Sequence, residues 1–322
     1  MGARQLVVLT TGGTIAMRED APGSGAVPRL HVADLLPDLP SGLPEVTGEV
    51  FCNLPSAHLT LEMLWGLRQR VAAILAHDEV AGIVIPHGTD TMEETAYLLD
   101  LTIASDKPVV LTGAMRTASD VGYEGLANMR AALLVAADPQ AAGLGALVVL
   151  NDTIHAARYV TKMHTQSLDT FQSPGWGPLG RVEGDRVIIA CRTMREVIPT
   201  ARLETRVALL RLAVGMEADP LRETLARGVR GIVIEGLGGG RVPPWWMDDI
   251  RTAIAAGVPI VIASRCPSGA VGDRYGYVGA CRELAAAGAL LSDGLNGAKA
   301  RLKLMVTLGA TDSPAQVRAL WP

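Results

Sequence analysis

Two short stretches hold most of the side chains that could do chemistry. In "LTTGGTIAM" an apolar strand, Leu6 to Leu9, runs into Thr10, Thr11, Gly12, Gly13 and Thr14. Paired glycines let a backbone turn sharply and come close to a ligand, and they leave the Thr14 hydroxyl exposed. The turn lacks the spaced glycines of GxGxxG and the lysine of GxxxxGK[ST], so it is not a nucleotide loop. Taken alone, Thr14 also fits a residue that merely caps or shapes the turn.

The second stretch, "GIVIPHGTDTMEETAYLLDLT", runs from Gly82 to Thr102 and passes from a buried strand into an amphipathic helix. Thr91 and Glu94 have capping-box spacing, and Met92, Ala96 and Leu99 form one apolar stripe. Capping needs only one polar side chain, which leaves His87, Thr89 and Asp90 unexplained. With no second histidine at metal spacing, His87 reads as a packed hydrogen-bonder, and no metal site is expected. A hydroxyl and a carboxylate at a helix N-terminus, Thr89 and Asp90, can bind a small zwitterion or relay a proton. A third polar element, "ARYVTKMHT" after the strand "ALVVLND", carries Lys162, which by itself reads as a surface charge.

These turns need strands to place them. Short apolar runs recur at "QLVVLT", "GIVIPH", "PVVLTG", "ALVVLND", "GIVIEG" and "PIVIAS", each bounded by Gly, Pro or Asp. Continuous runs belong to strands covered on both faces. Helical patterns such as "TLEMLWGLRQRVAAILAHD" and "GLANMRAALLVAAD" lie between them, so the class is α/β with a mostly parallel sheet flanked by helices. Ligands of such sheets bind outside the carboxyl ends of the strands, where both polar turns fall. The charged segment around Pro199 interrupts the alternation. It divides a larger N-terminal domain, residues 1–192, through a linker at 193–206, from a smaller α/β C-terminal domain at 207–322.

With 322 residues, 49% of them apolar, the chain can bury a sizeable core. Its net charge is −4, and Lys and Arg are nowhere concentrated with aromatic residues. Neither a nucleic-acid footprint nor a membrane-surface patch is visible, and a small-molecule partner is expected. Cys52, Cys191, Cys266 and Cys281 show no CxxC spacing, which excludes a zinc site of that type and a stapled secreted scaffold. The first residues hold neither a signal-peptide cleavage site nor a span of ~20 apolar residues, so a cytoplasmic location is expected.

Together these residues resemble the bacterial-type L-asparaginase family, also called the asparaginase/glutaminase family. Both of its signature segments stand here, "LTTGGTIA" at Leu9 to Ala16 and the Gly82 to Thr102 stretch. The similarity continues through "KPVVLTGAMR", "VLNDTIHAARYVTKMHT" and "FQSPGWGPLG", then through "GIVIEGLGGGRVPP" and "SRCPSGAV".

The resemblance implies hydrolysis of a small amino-acid amide in two displacements, L-asparagine and water giving L-aspartate and ammonia. Thr14 would attack the side-chain amide carbon and form an acyl-enzyme ester that water cleaves. Thr89, Lys162 and Asp90 would be the accessory triad, because a threonine hydroxyl is too weak an acid to ionise unaided. Burial lowers the pKa of a lysine while a neighbouring Asp90 raises it, and the sequence leaves that balance open. Backbone N–H groups of either turn would stabilise the oxyanion, each worth about 3 kcal/mol. No metal or organic cofactor is called for.

Substrate recognition is implied at Ser56 and Ala57, with Thr89 and Asp90. The family places a Ser-Gln pair before its second helix, and "LPSAHLT" keeps Ser56 but has Ala57 for the glutamine. The lid "REDAPGSGAVP" lacks the family's tyrosine and offers Gly25 in its place. The acidic insertion of the secreted members is missing, and Gly239 and Arg241 replace the asparagine of a "GNGN"-like loop. Tyr123, in "VGYEGLANM", is the residue read as taking over a missing contact. These departures leave open the same chemistry on glutamine, a D-amino acid, an amidated peptide or another small amide, and beside them a non-catalytic amino-acid binding protein. A homotetramer, built as a dimer of dimers, is implied by the resemblance alone.

Overall fold

The computed structural model describes residues 4–21, 23–36 and 38–321. The chain forms two compact units, Met1–Val197 and Ile198–Pro322, divided within the charged 193–206 segment.

The first unit runs β1 (Gln5–Gly12), β2 (Met17–Glu19), β3 (Ala26–Pro28), β4 (Glu45–Leu54), α1 (Leu61–Leu75), β5 (Val80–Pro86), α2 (Met92–Thr102), β6 (Val109–Thr112) and α3 (Gly125–Ala137). It continues through β7 (Ala146–Leu150), β8 (Thr153–Ala156), β9 (Thr161–Lys162), β10 (Phe171–Gln172), β11 (Gly180–Glu183) and β12 (Arg186–Ile189). Eight strands form one sheet in the order β12-β11-β8-β7-β6-β5-β1-β4. From β4 to β7 all neighbours are parallel, and β8, β11 and β12 are added antiparallel.

The continuous apolar runs have the expected cause. Alternate residues of each central strand enter opposite cores: Leu6, Val8, Val84, Val110 and Leu147 pack with Met129, Ala132 and Val135 of α3. Val7, Leu9, Ile83, Ile85 and Leu111 pack with Leu67 and Val71 of α1 and Ala96 and Leu99 of α2. Each buried Val, Leu, Ile or Met side chain among them contributes about 1.5–3 kcal/mol. The parallel run ends where Asn151 and Asp152, both at positive φ (49° and 55°), form a two-residue turn between β7 and β8. β1 extends beyond Leu9: Thr10 pairs with Val50 and, after a register shift at Thr11, Gly12 pairs with Leu54, while the buried Thr11 hydroxyl donates to the Pro86 carbonyl at 3.0 Å.

The second unit comprises β13 (Val207–Arg211), α4 (Asp219–Ala226), β14 (Gly231–Gly236), α5 (Met247–Ala255), β15 (Ile260–Ser264), α6 (Cys281–Ala286), β16 (Leu290–Leu291), α7 (Gly297–Ala310) and α8 (Pro314–Ala319). Its four strands are parallel in the order β13-β14-β15-β16. Ile232, Ile234, Ile260, Ile262 and the fully buried Trp246 centre its core. Arg241 is engaged within this unit: its Nε donates to Asp273 Oδ2 at 3.1 Å, and its guanidinium lies 4.7 Å from the ring centre of Tyr275.

Candidate active site

The carboxyl ends of β1, β4, β5 and β6 lie side by side, and glycines let the turns that follow them touch. A Cβ on Gly13 would stand 2.3 Å from Gly88 Cα, and one on Gly12 would stand 2.5 Å from the Leu54 nitrogen. Both residues also have positive φ, 102° at Gly12 and 87° at Gly13, which glycine adopts without a steric penalty. A Cβ on Gly88 would in turn stand 2.7 Å from Ser56 Oγ. Hydrogen bonds fasten the same junction: Gly13 N–H donates to the Leu54 carbonyl at 3.0 Å, and His87 N–H donates to the Thr112 carbonyl at 2.8 Å. The turns carrying Thr14, Ser56 and Thr89 are thereby one packed unit.

Thr14 opens a single 3-10 turn, Thr14–Ala16, that leads into the β2–β3 hairpin. This hairpin holds the Gly/Pro-rich segment that the resemblance implies is a lid, and an Arg29–Asp20 ion pair ties its ends; Gly25 lies in open space. Ser56 is buried at the start of another 3-10 turn, Ser56–His58, and its hydroxyl is enclosed without a hydrogen-bond partner. A buried polar group left unpaired costs about 1–3 kcal/mol, which sets the Ser56 hydroxyl apart from the paired groups around it. Ala57 beside it is exposed.

Lys162 stands in β9 and reaches back to the turn before α2. Its Nζ donates to Thr89 Oγ1 at 2.9 Å and to Asp90 Oδ1 at 2.7 Å, while its backbone N–H donates to Glu93 Oε2 at 2.9 Å. The lysine and threonine side chains are largely enclosed, whereas that of Asp90 is 67% exposed. A neutral amine in this position can take the proton of the Thr89 hydroxyl, and an ammonium can return it. Thr14 joins the group through the Gly13–Gly88 backbone contact, whereas Thr89, Asp90 and Lys162 meet through their side chains.

Two sequence expectations about this turn meet different outcomes. Thr91 does not cap α2: the helix has no side-chain cap bond, and the Thr91 hydroxyl donates to the Ser56 carbonyl at 3.2 Å. Its φ/ψ of −123°/14° departs from the extended conformation in which an N-cap oxygen reaches the N3 amide. His87 is fully buried; its Nδ1–H donates to the Gly88 carbonyl at 2.7 Å and its Nε2 accepts from the Thr95 hydroxyl at 3.0 Å. Burial pulls its pKa down to about 4, partly opposed by the Gly88 bond, so the ring is a neutral brace for the turn.

Glu93 is a member of the site that sequence reasoning passed over. An acid in the first turn of a helix is explained by the helix dipole, so nothing marked this one as a partner of Lys162. Tyr123 donates its hydroxyl to the Ile15 carbonyl at 2.7 Å, holding the turn that follows Thr14. Among the described residues, no group of three or more His, Cys, Asp or Glu is placed to hold a metal ion, and no helix is long and apolar enough to cross a membrane.

Fold and site together define a two-unit α/β protein with a threonine–lysine–aspartate cluster at the carboxyl ends of its parallel strands. An asparaginase N-terminal family model matches residues 5–195, and a glutaminase/asparaginase C-terminal domain model matches residues 206–321. The chain belongs to the asparaginase/glutaminase family. The L-asparaginase of Bacillus licheniformis is 37% identical over 95% of this chain and 96% of its own length. A probable L-asparaginase of Deinococcus radiodurans is 39% identical over 98% and 97%. A glutaminase-asparaginase of Pseudomonas fluorescens is 32% identical over 98% and 90%. The structure of a probable cytoplasmic L-asparaginase from Campylobacter jejuni matches with a TM-score of 0.87 at 30% identity, covering 99% of both chains.

Proposed function

We propose that this protein hydrolyses L-asparagine to L-aspartate and ammonia through an acyl-enzyme on Thr14. The observation that carries this reading is the Lys162–Thr89–Asp90 relay on a turn whose Gly88 packs directly against Gly13. In the first displacement Thr14 Oγ1 attacks the amide carbon. Its proton passes toward Thr89 and Lys162, and the tetrahedral carbon expels nitrogen as ammonia after that nitrogen gains a proton. In the second, water attacks the ester carbon and gives up a proton to the same relay, releasing the carboxylate and restoring the Thr14 hydroxyl. Backbone N–H groups of the two turns serve the oxyanion. Ser56 offers its unpaired hydroxyl to the substrate carboxylate, and Asp90 offers charge to the substrate ammonium. Residues 1–192 form the catalytic domain and 207–322 the smaller one, joined by 193–206; the two family-model matches and the division at Val197 support this.

Glutamine is the alternative substrate for the same chemistry. The small, exposed Ala57 beside Ser56, together with the likeness to a glutaminase-asparaginase, favours a roomier subsite. A cytoplasmic location rests on the likeness to the Campylobacter jejuni protein. A homotetrameric dimer of dimers rests on family membership.

Ammonia release from L-asparagine and L-glutamine, measured with wild-type protein, Thr14→Val and Lys162→Met, tests the proposal. Turnover lost in both variants supports nucleophile and base together. Turnover that persists in Thr14→Val removes the central claim, and tight amino-acid binding without turnover in the wild type would make this a binding protein.

A further inference from the structure

The 3-10 turn bearing Thr14 has little local support. Its own backbone supplies one bond from Ala16 N–H to the Gly13 carbonyl at 3.0 Å, with Met17 N–H closing onto the Thr14 carbonyl. Turns of this type have poor hydrogen-bond geometry and depend on neighbours to fix them. Two segments supply that support. The segment just after the hairpin's return strand gives Arg29 and Leu30 N–H to the Ala16 carbonyl, at 2.9 and 3.0 Å. The loop between β6 and α3 gives the Tyr123 hydroxyl to the Ile15 carbonyl at 2.7 Å, Ala118 N–H to the Met17 carbonyl at 3.0 Å, and Ser119 Oγ as acceptor for Glu19 N–H at 2.9 Å.

The loop is built to hold Tyr123 in place. The Glu124 carboxylate accepts from Met115 and Arg116 N–H, and Asp120 accepts from the amide and hydroxyl of Thr117. The tyrosine ring lies directly on Gly125: a Cβ there would stand 2.1 Å from Tyr123 Oη and 2.2 Å from Cζ. Any larger residue at 125 would push the ring away from its place.

We propose that Tyr123 is a positioning residue for Thr14, its hydroxyl fixing the Ile15 peptide and through it the direction in which the Thr14 oxygen is presented. This rests on Thr14 being the nucleophile. Burial and the neighbouring Glu124 push the Tyr123 hydroxyl up to about 12, so it remains a donor throughout the range in which the enzyme would work. A misplacement of about 1 Å at a reacting group costs as much as ~10²-fold in rate, so loss of one such bond has a kinetic effect larger than its effect on folding.

Tyr123→Phe keeps the ring on Gly125 and removes only the donor. With L-asparagine, kcat is expected to fall about tenfold or more while KM changes less than about twofold. Deuterium uptake of the peptide spanning residues 13–19 should become faster, with the melting temperature little changed. Gly125→Ala, which displaces the ring, should lower kcat in the same way and serves if Tyr123→Phe folds poorly. Unchanged kcat and unchanged exchange in Tyr123→Phe overturn the proposal, as does a loss of melting temperature with full activity in the folded fraction. If the wild-type protein releases no ammonia, the asparaginase reading has failed. The exchange of residues 13–19 then decides the clamp by itself: faster in Tyr123→Phe supports it, unchanged rejects it.

Discussion

Lys162 Nζ lies 2.9 Å from Thr89 Oγ1, and the backbone N–H of the same lysine is held by Glu93 Oε2 at 2.9 Å. One residue is thus fastened by its side chain to the turn before α2 and by its backbone to the helix's first turn, although it is some seventy residues away in the chain. Lys162→Met removes the amino group and keeps the aliphatic stem, and kcat for asparagine should fall by about 10²–10⁴-fold, the usual contribution of a positioned base. Glu93→Ala should have a smaller effect, about tenfold, because it acts only through the lysine backbone, and Glu93→Gln should restore most of it by keeping an acceptor. Steady-state kinetics at one pH checks the order; equal rates in wild type and Lys162→Met would remove the relay.

Ser56 gives a prediction whose two parts have opposite signs. Its enclosed, unpartnered hydroxyl costs the free protein, so Ser56→Ala should leave stability unchanged or raise it by up to about 1 kcal/mol. The same change should weaken substrate, raising KM about tenfold, because a polar substrate group loses its partner. Thermal melting and KM on one preparation test both. A structural serine would show lower melting temperature and normal KM.

His87 sets a pH window for stability. Its folded pKa of about 4 lies below the reference value of 6.5, so between those values the unfolded state binds more protons than the folded one. The contribution is complete above pH 6.5 and is lost as pH falls toward 4, amounting to about 3 kcal/mol at full extent. Urea titrations of wild type and His87→Gln at pH 7, 5.5 and 4.5 should converge as the pH drops. A constant gap between the two proteins would mean that the ring is not kept neutral.

The strands and their polar turns were legible because each apolar run is short, continuous and covered on both faces. The places of Thr14, Thr89 and Asp90 at the strand ends follow from that pattern, whereas the part proposed for Thr14 came only with the family resemblance. Lys162 does not: β9 is two residues long, and only tertiary structure brings it to Thr89. The closeness of the turns was equally invisible, because the Gly13–Gly88 and Gly88–Ser56 approaches are contacts between separate elements. Thr91 misled for a related reason: capping-box spacing describes a local helix end, and here the hydroxyl found a nonlocal carbonyl on Ser56. Pattern reads the backbone's own preferences, and a site assembled from four strand ends is decided by what each turn meets.

Arg195 is a case where a charged stretch conceals a buried role. Its Nε donates to Asp100 Oδ1 at 3.0 Å, and its other nitrogens donate to the carbonyls of Asp100, Ile103 and Ser105 at 3.2, 3.0 and 3.1 Å. It thereby satisfies carbonyls at and just beyond the C-terminal turn of α2, which have no helical partner of their own. Asp100 is enclosed beside it, also accepting from Ala146 N–H at 3.1 Å; burial pushes its carboxyl up while Arg195 opposes the shift. Arg195→Met should leave that carboxylate without its counter-charge and cost about 3–5 kcal/mol. At about 2–4 °C per kcal/mol, the melting temperature should fall by roughly 10 °C. Without Arg195 nothing opposes the upward push of burial on the Asp100 carboxyl as strongly, so the penalty should be largest at neutral pH and shrink as the pH falls and the carboxyl takes up a proton. Adding Asp100→Asn, which removes the buried charge, should recover part of the loss. Additive effects in this double-mutant cycle would mean that the two side chains act independently and that Arg195 serves α2 through the carbonyls alone.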